Sequence, residues 1–312
     1  MKYCKVLVGS NGGLTGIYLA KCFKKNRDIF LVGADCNKDS VGKFFVDRQY
    51  FLPPANEKDF LCKLIELLNY EKIDLYLPTH SEEIKAVSQN ADFIRSSTSA
   101  KFIVSPIESF SALDSKTDAN INLSKVGITV PELITDFNVS YPIFMKKVIG
   151  SGSNGAFKIE NRKIHEAYKE NENCAFFENI NGTEITVDCF FDTDGNLIGY
   201  CQRKRLKTIG GAVVITETFN GFDILPFIKI IADNWKLCGC VNFQYILKDN
   251  KPYFIDVNLR YPSGGLPVSV ESGLDVPNFI LDLFYQRKIP YSEHNFSVND
   301  KKMYRYFEEI FE

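Results

Sequence analysis

The chain has 312 residues, of which 45% are hydrophobic and 24% are charged, an ordinary balance for a globular protein. Its 37 basic and 39 acidic residues give a net charge of -2, which excludes a strongly basic nucleic-acid surface as the default interpretation. At roughly 150 residues per domain, the length predicts two domains or three small ones.

The first hundred residues alternate short apolar runs with helical patterns. The apolar runs at 5–8, 29–35, 75–78 and 102–106 predict strands, and the patterns at 14–22 and 60–68 predict helices. This alternation is typical of a parallel sheet covered by helices. The first part of the chain is therefore predicted to be an α/β unit of Rossmann-like topology.

A glycine-containing turn joins the first strand to the first helix. Gly9 is followed by Asn11 where the dinucleotide fingerprint G-x-G-x-x-G has its second glycine, although Asp35 lies near the position of the ribose acid. The turn favours the binding of an anion or a substrate. An NAD-dependent oxidoreductase is thus a disfavoured alternative.

The pattern changes after about residue 106, where one helix is predicted over 113–126 and ends at Gly127. From residue 141 onward, most segments resemble strands with tight turns, and helices are predicted over 227–237 and 276–285. The second part is therefore predicted to be α+β with antiparallel hairpins.

Two segments of this second part carry candidate phosphate- and nucleotide-binding groups. A strand over 142–149 delivers Lys146 and continues into a glycine- and serine-rich loop over 150–155, a composition that can surround phosphate oxygens. A second segment, 176–188, leaves an apolar strand, passes through a connector and returns through Glu184, which can accept hydrogen bonds from ribose hydroxyls.

A third segment carries the most specific pattern. Asp256, Asn258 and Arg260 alternate along one strand and so share a face, while Ile255 and Val257 are expected on the other face. Gln244 can face them from the preceding strand of the hairpin. One carboxylate and two amide oxygens suit Mg²⁺ bridging ATP phosphates, and an arginine suits a phosphate or acyl phosphate oxygen.

Taken in this order, the three segments resemble the motifs of the ATP-grasp superfamily, and in particular single-module proteins similar to the carbamoyl phosphate synthetase large chain. The resemblance covers nearly the whole chain. It implies a Rossmann-like pre-ATP-grasp domain over 1–106, followed by an ATP-grasp domain with a lysine and lid lobe over 107–177 and a metal-binding lobe over 178–312.

The resemblance also implies roles for residues at matching positions. ATP would be held by two lysines, the phosphate lid, the adenine hinge and the ribose acid, which match Lys116, Lys146, Ser151, Gly152, Ser153, Glu178, Asn179, Ile180 and Glu184. Magnesium, for which Mn²⁺ can substitute, would be held by Gln244, Asp256 and Asn258. Arg260 matches the catalytic arginine.

A basic run over 202–207 would line the phosphate and substrate cleft. Within it we expect Lys204 to be an active-site residue, and we weigh Arg203 and Arg205 evenly. His80, after a strand of the first domain, either contacts substrate or caps the following helix.

The reaction implied is ATP-dependent activation of a small-molecule carboxylate as an acyl phosphate, which an amine then attacks to give an amide, ADP and phosphate. Two alternatives stay open: formation of carboxyphosphate or phosphorylation of carbamate, as in carbamoyl phosphate synthetase, and ATP binding without turnover. Asp256 stands where the family usually has glutamate, and Leu259 where proline is common, so the rate of reaction is in question.

The nine cysteines form no CxxC pair, which favours a reduced cytoplasm over a disulfide or zinc framework. No apolar run approaches the roughly 18 residues of a membrane span, and the first residues do not resemble a signal peptide. We therefore expect a cytoplasmic protein with neither a nucleic-acid nor a membrane partner, and we leave a homodimer open.

Overall fold

The structure, a computed structural model, describes residues 3–136, 138–149, 155–210 and 212–312. Its first unit is a four-stranded parallel sheet with helices on both faces, in the strand order β3-β2-β1-β4. The strands are β1 (Cys4–Gly9), β2 (Ile29–Asp35), β3 (Arg48–Phe51) and β4 (Leu75–Leu77), and the helices are α1 (Leu14–Phe23), α2 (Phe60–Glu71), α3 (Ser81–Gln89) and α4 (Ala91–Ser97). The predicted α/β unit is confirmed.

Two details of this unit differ from the sequence prediction. The strand expected over 102–106 does not form, and only Lys101 makes an isolated bridge, to Leu75. The edge strand β3, in contrast, was not predicted, because its residues show no buried alternation. A short 3₁₀-helix over Val41–Phe45 leads into it.

The helix predicted over 113–126 forms as α6 (Lys116–Lys125), and a further short helix that was not predicted, α5 (Ile107–Leu113), precedes it. The break between the two helices lies at Ser115, which has an extended backbone and whose hydroxyl accepts a hydrogen bond from the Asp118 N–H at 3.3 Å. This N-cap starts a new helix and places Lys116 at its first position. Gly127, at φ +83°, follows the end of α6 as predicted.

The second sheet, which we call the lysine lobe (residues 133–178), has four antiparallel strands in the order β5-β8-β6-β7. Its elements are β5 (Leu133–Ile134), β6 (Ile143–Lys147), β7 (Phe157–Ile159), α7 (Arg162–Lys169) and β8 (Cys174–Glu178). It has a small core of its own, formed by Ile143, Met145, Ile159 and Phe176.

The third sheet has seven described strands, in the order β13-β12-β9-β10-β11-β15, with β14 pairing β10. The strands are β9 (Thr183–Phe191), β10 (Leu197–Ile209), β11 (Ala212–Thr218), β12 (Gly239–Lys248), β13 (Lys251–Asn258), β14 (His294–Asn295) and β15 (Lys302–Tyr304). Helices α8 (Leu225–Asn234), α9 (Leu266–Glu271) and α10 (Val276–Phe284) accompany it, with a 3₁₀-helix over Phe296–Val298.

Both predicted hairpin turns form. Asp192 Oδ1 accepts hydrogen bonds from the N–H groups of Asp194 and Asn196, which closes the turn between β9 and β10. Asp249 and Asn250 both have positive φ, the conformation of the two-residue turn that matches strand twist. This turn aligns β12 with β13 and therefore sets the register of the candidate site.

The largest hydrophobic core joins the first sheet to the third: Val6 and Leu19 belong to the same cluster as Val187 and Phe243. The buried core residues of the lysine lobe lie outside that cluster and form a separate one. Within the described ranges, no helix combines the length and the apolar character that crossing a membrane requires.

Candidate nucleotide and metal site

The register of the third sheet gathers polar side chains into a row across four strands. Arg203 on β10 pairs with Thr186 on β9, Thr186 pairs with Gln244 on β12, and Gln244 pairs with Asp256 on β13. Directly paired residues of antiparallel strands share a face. Arg203, Thr186, Gln244 and Asp256 therefore lie on one face of the sheet, which we call the polar face.

A parallel row lies one step further along the same face. Asp188 pairs with Asn242, and Asn242 pairs with Asn258. The Asn258 side chain donates to Asn242 Oδ1 at 3.2 Å, and the Asn242 side chain donates to the Arg260 carbonyl at 3.2 Å. The side-chain amides of Asn242 and Asn258 thus hydrogen-bond to each other, and Asn242 also binds the backbone at Arg260.

A bulge in the hairpin corrects one detail of the prediction. The register shifts between Gln244 and Tyr245, so that Tyr245 pairs with Phe254 and not with Ile255. Phe254 and Val257 are the buried apolar residues of this strand, at 1% and 2% exposure, whereas Ile255 is only partly buried. Asp256 and Asn258 still share the polar face, as predicted.

Two lysines reach the end of this row from other elements. Lys116, at the start of α6, forms an ion pair with Asp256 Oδ1, and the side chains are only 10% and 18% exposed. Lys146, on β6 of the lysine lobe, donates from Nζ to the Ile255 carbonyl at 2.8 Å. Three separate segments of the sequence therefore converge at Asp256.

The positive charges around Asp256 oppose the effect of burial on the pKa of its carboxyl group. Burial alone would raise the pKa of the Asp256 carboxyl, but the positive charges of Lys116 and Lys146 outweigh that effect and hold the pKa below its usual value. Burial lowers the pKa of the Lys146 ammonium. The Asp256 carboxylate is therefore ionised and is surrounded by cations.

Arg260 follows β13 and lies next to the metal-ligand candidates. Its Nη2 donates to Asn258 Oδ1 at 3.2 Å, and its Nη1 donates to the Tyr261 carbonyl at 3.2 Å. Burial lowers the pKa of the Arg260 guanidinium from its usual value. The structure thus brings Arg260 to the same end of the polar face as Asp256.

The predicted adenine hinge connects the lysine lobe to the third sheet. Glu178 ends β8, Asn179 donates from its side chain to Asn181 Oδ1 at 3.3 Å, and Ile180 is buried. Glu184, the predicted ribose acid, accepts a hydrogen bond from Arg205 Nη1 at 2.5 Å. These residues lie where the chain passes from the lysine lobe into the third sheet, while Ser151, Gly152 and Ser153 lie outside the described residues.

Lys204 does not lie with the other predicted site residues. It pairs with Ile185, which pairs with Tyr245 and through it with Phe254, a row of core residues on the opposite face. Its ammonium lies 3.6 Å from Glu217 Oε1 and 5.1 Å from the Phe219 ring centroid. Since neighbouring residues of a strand point to opposite faces, Arg203 and Arg205 occupy the polar face instead.

The donor set of Gln244, Asp256 and Asn258 fits a small hard cation, because it offers one carboxylate and two amide oxygens. Among the described residues, no group of three or more His, Cys, Asp or Glu side chains could hold a metal ion. A site built from two amides and one acid is consistent with that result and with magnesium that shares its coordination with phosphate oxygens.

A cavity of about 790 Å³ lies where the first unit meets the third sheet. It is lined by the β1–α1 turn, by residues after β2 and β4, and by Gly210, Ala212, Arg260 and Ser263. His80 borders this cavity and also caps α3, since its Nδ1 accepts from the Glu82 N–H at 3.3 Å. The structure therefore confirms the cap, and contact of His80 with substrate stays a prediction.

Sequence reasoning missed the acidic character of this cavity, which Asp39 and Glu82 also line. The available signal was their position after the carboxyl ends of parallel strands. Asp35, the candidate ribose acid, instead accepts the Gly12 N–H at 2.8 Å and the Asn37 N–H at 2.8 Å. The carboxylate thus fixes its own turn, which weighs further against a dinucleotide site.

Part of this chain matches a known protein family. Residues 171–306 match a family model described as ATP-grasp in the biosynthetic pathway with Ter operon. Over this part the chain is similar to the ATP-grasp superfamily, as the resemblance predicted. This match confirms the expected resemblance and supports the expected class of enzyme, an ATP-dependent ligase. No curated protein matches the sequence.

Solved structures of similar fold include three enzymes. The biotin carboxylase domain of Hydrogenobacter thermophilus 2-oxoglutarate carboxylase, a dimer in complex with MgADP, ADP and bicarbonate, has a TM-score of 0.72 at 15% identity, over 94% of this chain and 72% of that one. Staphylococcus aureus N5-carboxyaminoimidazole synthetase complexed with ADP has a TM-score of 0.71 at 13% identity, over 94% and 80%. Bacillus licheniformis L-amino acid ligase has a TM-score of 0.67 at 14% identity, over 91% and 74%. At these identities the likeness establishes the fold.

Proposed function

We propose that this protein activates a small-molecule carboxylate as an acyl phosphate and transfers the acyl group to an amine, with release of ADP and phosphate. The observation that carries the proposal is the convergence of Lys116, Lys146 and Asp256 from three elements, beside Arg260. Cations and a carboxylate at one cleft are what a metal-bound triphosphate requires.

ATP would lie between the lysine lobe and the third sheet. The adenine would lie against the hinge at 178–180, and the ribose near Glu184. Lys116, Lys146 and the loop over 150–155 would bind the phosphates. Gln244, Asp256 and Asn258 would hold Mg²⁺ or Mn²⁺, which would neutralise charge on the phosphates when bound.

The substrate carboxylate would enter from the cavity that Arg260 borders. Its oxygen attacks the γ-phosphorus in line, a new P–O bond forms, and the bond to the ADP oxygen breaks. The amine then attacks the acyl carbon, phosphate leaves, and the amine loses a proton. Arg260 stabilises the negative charge that develops on the transferred group and on the acyl oxygen.

Bicarbonate is the second candidate for the activated acid. Its support is the structural neighbour solved with bicarbonate and MgADP bound, the biotin carboxylase domain of 2-oxoglutarate carboxylase. With bicarbonate, the activated intermediate would be carboxyphosphate. The Asp256 side chain, one methylene shorter than glutamate, is the feature that favours the further alternative of ATP binding without turnover.

The deciding experiment measures ADP release against pools of small carboxylic acids and amines, with bicarbonate as a separate arm. Release that needs both an acid and an amine supports the ligase. Release with bicarbonate alone would replace the substrate class, and tight ATP binding without release in every arm would contradict catalysis. Assays with the single compounds of each active pool then identify the substrate.

Two further properties belong to the same proposal. The cysteines of the described chain are all free thiols, which supports a reduced cytoplasmic environment. One structural neighbour is a dimer, which supports a homodimer. Sedimentation of the purified protein across a concentration series tests the homodimer, and a strictly monomeric result would contradict it.

A further inference from the structure

Two of the three metal-ligand candidates have their oxygens covered by cationic side chains. The Lys116 ammonium contacts Asp256 Oδ1, and Arg260 Nη2 donates to Asn258 Oδ1 at 3.2 Å. A divalent cation cannot share these oxygens with an ammonium or guanidinium group at contact distance, because the like charges repel. Both contacts must loosen before a metal binds there.

The space around this contact is also closed. The cavity lined by Lys116, Lys146 and Asp256 measures about 10 Å³, whereas sites for small molecules usually occupy roughly 300–1,000 Å³. Lys146 holds the lysine lobe against β13 through the Ile255 carbonyl. Opening the cleft for nucleotide therefore separates the same groups that cover the metal ligands.

We propose that Lys116 and Arg260 mask the metal site, and that the triphosphate unmasks it by drawing both cations onto its own oxygens. This inference rests on the proposed ATP site. It deepens that proposal by giving an order of events: the divalent metal enters with the nucleotide and not before it. Asp256 is the switch point, because it exchanges an ammonium partner for a metal partner.

The charges explain why the exchange of Lys116 for a metal ion at Asp256 is favourable only when nucleotide is present. Removing Lys116 from a largely buried Asp256 leaves a carboxylate without its main partner, which is costly. A triphosphate offsets that free-energy cost, because it offers Lys116 and Arg260 stronger oxygen partners and brings phosphate ligands for the metal. Metal and nucleotide are then linked, and each raises the affinity of the other by the same factor.

The test measures Mn²⁺ binding to the full chain by the electron paramagnetic resonance signal of free Mn²⁺, without nucleotide and with a non-hydrolysable β,γ-methylene ATP. The wild type should bind Mn²⁺ weakly alone and about tenfold or more tightly with the analogue, within the usual range of such coupling. Lys116→Gln should bind Mn²⁺ alone about tenfold more tightly than the wild type, because Asp256 is uncovered.

The control variant is Lys24→Gln, which also removes a lysine from an aspartate, Asp47, at 3.1 Å, but in the first unit of the fold. It should leave Mn²⁺ binding at the wild-type level. In the double variant Lys116→Gln/Asp256→Asn the gain should disappear, which assigns the metal to Asp256. Circular dichroism establishes that each variant is folded.

The outcomes separate this inference from the proposed function. If the wild type binds the analogue but Lys116→Gln gains no affinity for Mn²⁺ alone, the masking inference is wrong and the ATP site stands. Equally tight Mn²⁺ binding by the wild type with and without the analogue also overturns it. If the wild type binds no analogue at all, the proposed ATP site itself fails.

Discussion

The Arg203 guanidinium donates two hydrogen bonds to the Asp188 carboxylate, from Nε at 2.7 Å and from Nη2 at 3.2 Å. The side chains are 4% and 1% exposed. Ser269 at α9 donates to the same carboxylate at 2.6 Å, and Gly265 leaves no room for a Cβ beside the guanidinium. This buried pair ties the polar face to the chain that follows Arg260.

Breaking the pair should cost much more stability than breaking a surface pair. Asp188→Asn leaves a buried guanidinium without its counter-charge, and we expect the free energy of unfolding to fall by about 3–5 kcal/mol. Asp92→Asn, whose partner Arg95 lies at 3.1 Å and is 56% exposed, should cost about 1 kcal/mol or less. Urea unfolding measures both, and equal losses would contradict the role of the buried pair.

Asp256 and Arg260 should both be required for turnover. Asp256→Asn removes the carboxylate that Lys116 contacts and the metal would share, and Arg260→Ala removes the cation at the substrate cavity. Either change should lower ADP release by about a hundredfold or more. Asp233→Asn, at an exposed position on α8, is the control. Activity of Asp256→Asn or Arg260→Ala within a few-fold of wild type, with the fold intact by circular dichroism, would contradict the site.

The faces of β10 predict a difference between two neighbouring cations. Arg205 donates to Glu184 at 2.5 Å on the polar face, whereas the Lys204 side chain lies on the opposite face near Glu217. Arg205→Ala should therefore weaken binding of an ATP analogue by about tenfold, and Lys204→Ala should weaken it less, by about threefold at most. Titration calorimetry measures both affinities. A larger loss of affinity in Lys204→Ala than in Arg205→Ala would indicate that Lys204 belongs to the ATP site after all.

Stability at low pH should depend on Glu71, which is 1% exposed. Burial alone would raise the pKa of this carboxyl, but hydrogen bonds from Tyr50, Arg48 and Lys5 outweigh it and lower the pKa from 4.5 to about 2. The stabilisation is therefore complete above pH 4.5 and is lost as the pH falls towards about 2.

Glu71→Gln should be less stable than the wild type at neutral pH and should lose less stability between about pH 5 and about pH 3. Glu66→Gln, at an exposed position of the same helix, should follow the wild-type profile. Chemical denaturation at each pH provides the comparison. Parallel profiles for wild type and Glu71→Gln would show that Glu71 does not carry the pH dependence.

Much of the fold could be predicted because its signals are local. The period of two along β13 placed Asp256, Asn258 and Arg260 together, and the turn residues Asp249 and Asn250 marked the hairpin. The strand expected over 102–106 does not form, because an apolar run by itself does not show whether it pairs with a neighbouring strand. The helix predicted over 113–126 starts three residues later, at Lys116, because Ser115 is its N-cap, and the seven-residue α5 was missed because it is too short to show a clear helical pattern.

The sequence by itself determined the resemblance to the ATP-grasp superfamily and the candidate residues for a metal or a phosphate, because both depend on residue types at short spacings. Only the tertiary structure decided which cations join them. The choice of Arg203 and Arg205 over Lys204 follows from the pairing of β10 with β9 and β12, where a shift of one residue exchanges the two faces. The contact of Lys116 with Asp256 joins residues 140 positions apart, and no local pattern encodes that approach.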